Sequence, residues 1–174
     1  MYDPLTSRAI DFLWELSINN QRPWFQEHKE EYRRVLEHPF RSLAHETAGL
    51  MQAHWPKYGF QPRISRIYRD ARRLFGRGPY KDHLWLSLFR FGSETGGDHP
   101  VLWFELAPEG WSYGMGFWCA KPVLMEKHRV RIDRDPKPLL KLQSKLSRQD
   151  EFTLDGPEYS RKKVCAESRL ADWY

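Results

Sequence analysis

The sequence predicts an α+β fold, with helices at both ends of the chain flanking a central antiparallel meander. Three observations carry it. Apolar residues recur at helical spacing through the first third of the chain. Three runs rich in strand formers then follow one another, LWLSLFRF, VLWFEL and SYGMGFW. They lie too close together for parallel crossovers, which need about a dozen residues or more. Helical spacing returns after Lys121.

Taken in order, residues 5–20 read as a helix. Thr6 or Ser7 suits the cap, Ile10, Leu13 and Leu16 share a face that Phe12 widens, and Asn19-Asn20 marks the stop. Pro23 fits the first position of a second helix, with Trp24, Phe25 and the acids Glu27, Glu30 and Glu31 in its early turns. Its apolar stripe runs through Tyr32 and Val35/Leu36 until Pro39 interrupts it. From Pro39 a further helix carries Phe40, Leu43, Thr47 and Leu50/Met51 on one face and should end before Pro56. Residues 64–70 read as a strand, with Arg66, Tyr68 and Asp70 on one face. Gly76, Gly78 and Pro79 make residues 72–79 a turn or excursion. Strands over 84–91, 101–106 and 112–118 follow, joined by the polar, glycine-rich 92–100 and by Pro108-Glu109-Gly110. Lys121-Pro122 opens one late helix and Asp135-Pro136 another, bearing Leu139, Leu140, Leu142 and Leu146. Residues 152–159 read as a short strand or loop around Asp155-Gly156-Pro157. One domain spanning 1–174 is expected, and the ending on Trp173-Tyr174 raises the expectation of a missing C-terminal segment.

Composition narrows the classes. A hydrophobic content of 40% with eight Trp, eight Tyr and ten Phe calls for a packed core, while 29% charged residues call for a soluble protein. No apolar run approaches the roughly 20 residues of a membrane span, so no membrane partner is expected. The N-terminus lacks a basic region followed by an apolar one, so no secretory signal is read. Cys119 and Cys165 form no disulfide framework and no zinc spacing, and the default setting is reduced and cytoplasmic.

The charge is concentrated. Residues 63–83 (RISRIYRDARRLFGRGPYKDH) hold seven Lys or Arg against two Asp, and the rest of the chain holds 21 of each sign. The net charge of +5 therefore sits in one stretch, which points to an anionic partner. Arg66, Arg69 and Arg72 offer planar forks of donors matched to phosphate or carboxylate, and Lys81 adds a compact charge. Tyr68 and Tyr80 interleave with them. His83 is the candidate proton donor, and Asp70 the candidate to orient a guanidinium or accept a proton. Whether any reaction occurs is left open. The plainer alternative is a structural ion-pair network with the tyrosines packed on guanidinium planes. A rival function uses the same groups on an open basic face to contact nucleic acid or an acidic protein partner. No helix-turn-helix, ribonucleoprotein or zinc-finger signature accompanies it.

Other signals are bland. The seven histidines never form HExxH or HxH, so neither a metal nor a cofactor is expected. Gly76-Arg77-Gly78 lacks the Gly-Lys-Ser/Thr of a P-loop, and no GxSxG elbow occurs. Asn20, Arg22 and Trp24 read either as functional residues or as helix stop, cap and core anchor, and the helix-start logic of Pro23 favours the second. Gly114 and Gly116 either admit a ligand close to the strand or fit a bulge beside a neighbouring Trp.

A set of short segments carries a family resemblance. Asn19-Asn20-Gln21-Arg22-Pro23-Trp24-Phe25, Arg66-Ile67-Tyr68-Arg69-Asp70-Ala71-Arg72, Pro79-Tyr80-Lys81-Asp82-His83 and the Gly114-x-Gly116-x-Trp118 strand resemble the DUF2461 family over roughly residues 8–160. The resemblance implies a single α+β domain and supplies no activity, cofactor or substrate. It departs from the family's usual RFSKDK-like loop at Arg72-Arg73-Leu74-Phe75-Gly76-Arg77, where Arg72 and Arg77 alone match.

Overall fold

A computed structural model describes residues 4–92, 99–156 and 165–174. Among them the chain runs α1 (Ser7–Ile18), α2 (Arg22–Glu27), α3 (Lys29–Tyr32), α4 (His38–His54), β1 (Gln61–Ile64), β2 (Leu84–Phe89), β3 (Val101–Ala107), β4 (Gly110–Gly116), α5 (Pro122–Arg134) and α6 (Lys137–Leu146). The four strands form one antiparallel meander in the order β1-β2-β3-β4. The α+β class and the helices at both ends of the chain are thus as the sequence predicts. Most of the 92–100 connection and the end of the 152–159 segment lie outside the described residues.

The chain divides into two compact units, Met1–Trp118 and Cys119–Tyr174. In the first, Ala9, Phe12, Leu13 and Leu16 fall at i, i+3, i+4 and i+7 on α1 and are fully buried. They join Phe25, Tyr32, Leu36, Phe40 and Ala44 from the helices and Leu84, Leu86 and Leu106 from the sheet in one core. Because strand side chains alternate, burying Leu84, Leu86 and Leu88 turns Trp85, Ser87 and Phe89 to the opposite face.

Two local expectations change. Pro39 does not stop the second helical run: residues Arg33–Glu37 widen into a π-type turn, with the His38 N–H donating to the Arg33 carbonyl. A wider turn relaxes the i→i−4 pattern where Pro39 supplies no N–H, so the helix passes through. The strand expected over 64–70 is displaced. Regular pairing covers Gln61–Ile64, and Tyr68 joins only an isolated antiparallel bridge to Tyr80. The Ser65 hydroxyl accepts from the Trp85 N–H, and the chain leaves the sheet after it.

In the second unit, α5 and α6 are tied to the last residues. The Arg129 guanidinium, 8% exposed as a residue, holds Glu126 and the Tyr174 carbonyl. Trp173 Nε1 donates to Gln143 at 2.6 Å, and the Tyr174 hydroxyl donates to Asp133 at 2.6 Å. That bond, with partial burial, pushes the Tyr174 phenol up to about 12. Among the described residues no helix is long and apolar enough to cross a membrane, and Cys119 and Cys165 are free.

Candidate functional site

The basic stretch folds into an arm that leaves the sheet after Ser65 and rejoins it at Leu84. Two rungs close it: the Arg69 N–H donates to the Pro79 carbonyl at 2.8 Å, and the Lys81 N–H to the Ile67 carbonyl at 2.7 Å. At its far end Asp70 accepts from the Arg72 N–H and starts a single 3-10 turn over Ala71–Arg73. Phe75, 81% exposed, then takes a left-handed φ of 45°, followed by Gly76 at 79°. A left-handed bulky residue is uncommon, and the turn it sits in is closed by the Arg77 N–H donating to the Leu74 carbonyl at 2.8 Å.

The corner between α1 and α2 grips this arm. Asn20 Oδ1 accepts from the Tyr80 N–H at 2.9 Å and Asn20 Nδ2 donates to the Tyr80 carbonyl at 3.0 Å. The side-chain amide thereby supplies Tyr80 with both backbone bonds a neighbouring strand would make. Gly78 permits the approach. A Cβ there would stand 2.2 Å from Asn20 Oδ1 and 2.5 Å from the Asn20 carbonyl oxygen. Beside this contact, Phe25 stacks on Tyr80 with centroids 4.1 Å apart, and Tyr68 meets the Phe25 ring edge-on at 6.0 Å. The motifs Asn20-x-Arg22-Pro23-Trp24-Phe25 and Gly78-Pro79-Tyr80 are the two halves of one joint.

Between α2 and the arm lies a cleft of about 330 Å³, lined by Arg22, Gln26, Tyr68, Arg69, Ala71, Leu74, Pro79 and Tyr80. Its size is at the low end of small-molecule sites. Arg22, exposed on α2, makes no hydrogen bond or ion pair among the described residues. Arg69 is mostly buried, its side chain 10% exposed, with Nε donating to the Gly78 carbonyl at 3.2 Å and Nη2 to the Tyr80 carbonyl at 3.0 Å. A guanidinium has five N–H donors, so Nη1 is left over. Tyr80 is buried, and that burial pushes its phenol up, against the pull of Arg22 and of a hydrogen bond with Gln26.

Of the residues predicted for the site, Tyr68, Arg69 and Tyr80 line the cleft and Arg66, Asp70, Arg72, Lys81 and His83 do not. Arg72 folds back onto Asp70, Nη2 to Oδ2 at 2.8 Å. His83 Nδ1 meets Asp82 Oδ1 at 2.8 Å, so its carboxylate partner is Asp82 and not Asp70. Burial pushes the Asp82 carboxyl up, but the His83 bond, a backbone N–H and nearby Arg69 together hold it below its ordinary value. Lys81 Nζ donates to the Arg66 carbonyl at 2.8 Å and sits 5.9 Å from the centre of the Trp85 ring, away from the cleft. Burial, with Arg66 and Arg69 nearby, lowers its pKa.

Sequence reasoning weighed a functional role for Arg22 but favoured a structural cap, and it missed Gln26. The helix-start logic of Pro23 accounts for the local sequence without them. The available signal was their spacing: four residues apart on a helix, they share one face.

A model of the family described as "Conserved hypothetical protein (DUF2461)" matches residues 8–174. No curated protein and no protein of solved structure gives a significant match.

Proposed function

The chain belongs to the DUF2461 family, whose description carries no activity, and we propose from its own geometry that it recognises a small molecule bearing a phosphate or carboxylate. The site is the cleft between α2 and the 68–80 arm. The observation that carries this reading is that Arg22, an arginine without an acidic partner among the described residues, lines the same cleft as Arg69. An anion between them gains charge-assisted hydrogen bonds from two sides. Arg69 is held by carbonyls, so one donor set is positioned before the ligand arrives, which reduces the ordering lost on binding. The Tyr68 ring, half exposed, with Ala71, Leu74 and Pro79 offers an apolar wall to the remainder of the ligand.

The test is thermal unfolding at fixed salt against phosphate, nucleotides, sugar phosphates and dicarboxylates, comparing wild type with Arg22→Ala. A ligand that binds only the folded state stabilises it by about 2.7 kcal/mol at a hundredfold excess over Kd. The expected result is a shift with one class of small anion that Arg22→Ala removes while its own ligand-free melting temperature stays unchanged. A shift retained in Arg22→Ala, or no shift with any anion, refutes the cleft.

A further inference from the structure

Arg63, Arg66 and Lys81 lie outside the cleft, and we infer that the outward face of β1 and β2 is a platform for single-stranded nucleic acid. This goes beyond the small-anion cleft and shares no residue with it.

Three placements support it. Arg63 on β1 stands opposite Ser87 on β2, and its guanidinium carbon lies 4.9 Å from the centre of the Phe89 ring. Lys81 reaches over Trp85 from the arm. Trp85, Ser87 and Phe89 are alternate residues of one strand, so these groups share the face turned away from the core. Along β2, Trp85 to Phe89 spans about 13 Å. Arg66, exposed and without an ion pair among the described residues, sits where the chain leaves this face, its carbonyl bound to Lys81 Nζ.

The charge pattern favours a polyanion over a single acid. No Asp or Glu occurs from Lys57 to Arg69 or from His83 to Gly92. Of the flanking carboxylates, Asp70 is bound by Arg72 and Asp82 by His83, while Glu105 stands opposite Trp85 on β3. Lys81 bears the mark of this excess, since its like-charged neighbours Arg66 and Arg69 add to burial in lowering its pKa. Cations laid on aromatic rings are what a single strand uses: phosphates take the charge, and bases stack on rings or on guanidinium planes. An acidic protein would use the charges but not the rings.

The experiment is fluorescence anisotropy of labelled oligothymidylate and oligouridylate of about 12 nucleotides, within the site sizes of single-strand binders, against the full chain over a range of salt. With Arg63, Arg66 and Lys81 neutralising phosphates, log K should fall with log salt at a slope of about −2. The double variant Arg63→Glu/Arg66→Glu should weaken binding at least about tenfold and flatten that slope by about 1.4. Arg148→Glu, an exposed charge that belongs to neither β1, β2 nor the arm, is the control for bulk charge and should change affinity by less than about twofold. Circular dichroism of the double variant shows whether it is folded; if it is not, Arg63→Gln alone replaces it, with a slope change of about 0.7 expected. Equal losses in Arg148→Glu and the double variant overturn the proposal. So does an oligoglutamate that competes as well as the oligonucleotide, which would assign the face to acidic proteins, or no binding at low salt.

Discussion

Gly78→Ala tests the joint between Asn20 and the basic arm. Gly78 does not have a positive φ, so alanine meets no backbone penalty there and the whole effect must come from contact. Its new Cβ would lie 2.2 Å from Asn20 Oδ1 and 2.5 Å from the Asn20 carbonyl oxygen, distances at which one partner must move. If the amide moves, the Tyr80 N–H loses its acceptor, while the Tyr80 carbonyl keeps Arg69 Nη2. A buried donor left unpaired costs about 1–3 kcal/mol. Forcing the second contact apart costs about 1–3 kcal/mol more. We expect a total near 3 kcal/mol, which at a urea dependence of about 2 kcal/mol/M lowers the midpoint by about 1.5 M. Asn20→Ala, which loses the bonds without the collision, should cost about 1.5 kcal/mol. Placed on that background, Gly78→Ala should still cost about 1–2 kcal/mol because the backbone oxygen remains. Urea titrations followed by circular dichroism on the four proteins measure the cycle. A Gly78→Ala protein within about 0.5 kcal/mol of wild type refutes the close approach.

Two further predictions separate the charged residues. Arg69→Met strips charge-assisted bonds from the Gly78 and Tyr80 carbonyls and should cost about 2–4 kcal/mol in the same titration, with Arg69→Lys recovering less than half because an ammonium does not span both; equal stability in all three proteins refutes the structural role of Arg69. Asp82, whose folded-state pKa lies below its unfolded value near 3.9, contributes stability that is present above that unfolded value and lost as pH falls through the folded one. Asp82→Asn should therefore shrink the loss of melting temperature on acidification below about pH 4 and leave the profile above about pH 5 parallel to wild type; an unchanged acid limb refutes it.

The sheet was legible because its signal is local. Three short runs of strand formers at hairpin spacing admit few arrangements, and β2, β3 and β4 fall where the runs are. The helices were legible from periodicity, except where Pro39 is passed through a wide turn that no sequence pattern announces. The 64–70 stretch misled for a physical reason. Alternation of charged and apolar residues is also produced by an arm whose inner residue, Ile67, is buried while Arg66 and Tyr68 face out. The site was half legible. Charge density located the arm, yet it could not show that the Arg69 donors go to the backbone or that Asp70 closes on its own neighbour Arg72, since both depend on how the loop turns. Arg22 lay 41 residues before the charge cluster begins, and a long-range contact of that kind leaves no trace in composition.

What the fold does with its excess charge follows from which guanidinium groups find acceptors inside the protein. Arg69 is bound on two donors by carbonyls, so it stiffens the arm and offers only what remains. Arg72 is bound to the carboxylate two residues before it and adds little field at a distance, because the pair is close to neutral. Among the described residues, Arg22, Arg63 and Arg66 have no such acceptor. They lie on different elements, α2, β1 and the start of the arm. A charge count over residues 63–83 thus mixes groups that build the arm with groups that look outward, and it omits Arg22, whose position on α2 is what gives the cleft its second cation. Removing Arg22 should therefore remove small-anion recognition and spare the oligonucleotide, and reversing Arg63 and Arg66 should do the opposite. If either change abolishes both activities, the cleft and the sheet face are one site, and the division drawn from their partners is wrong.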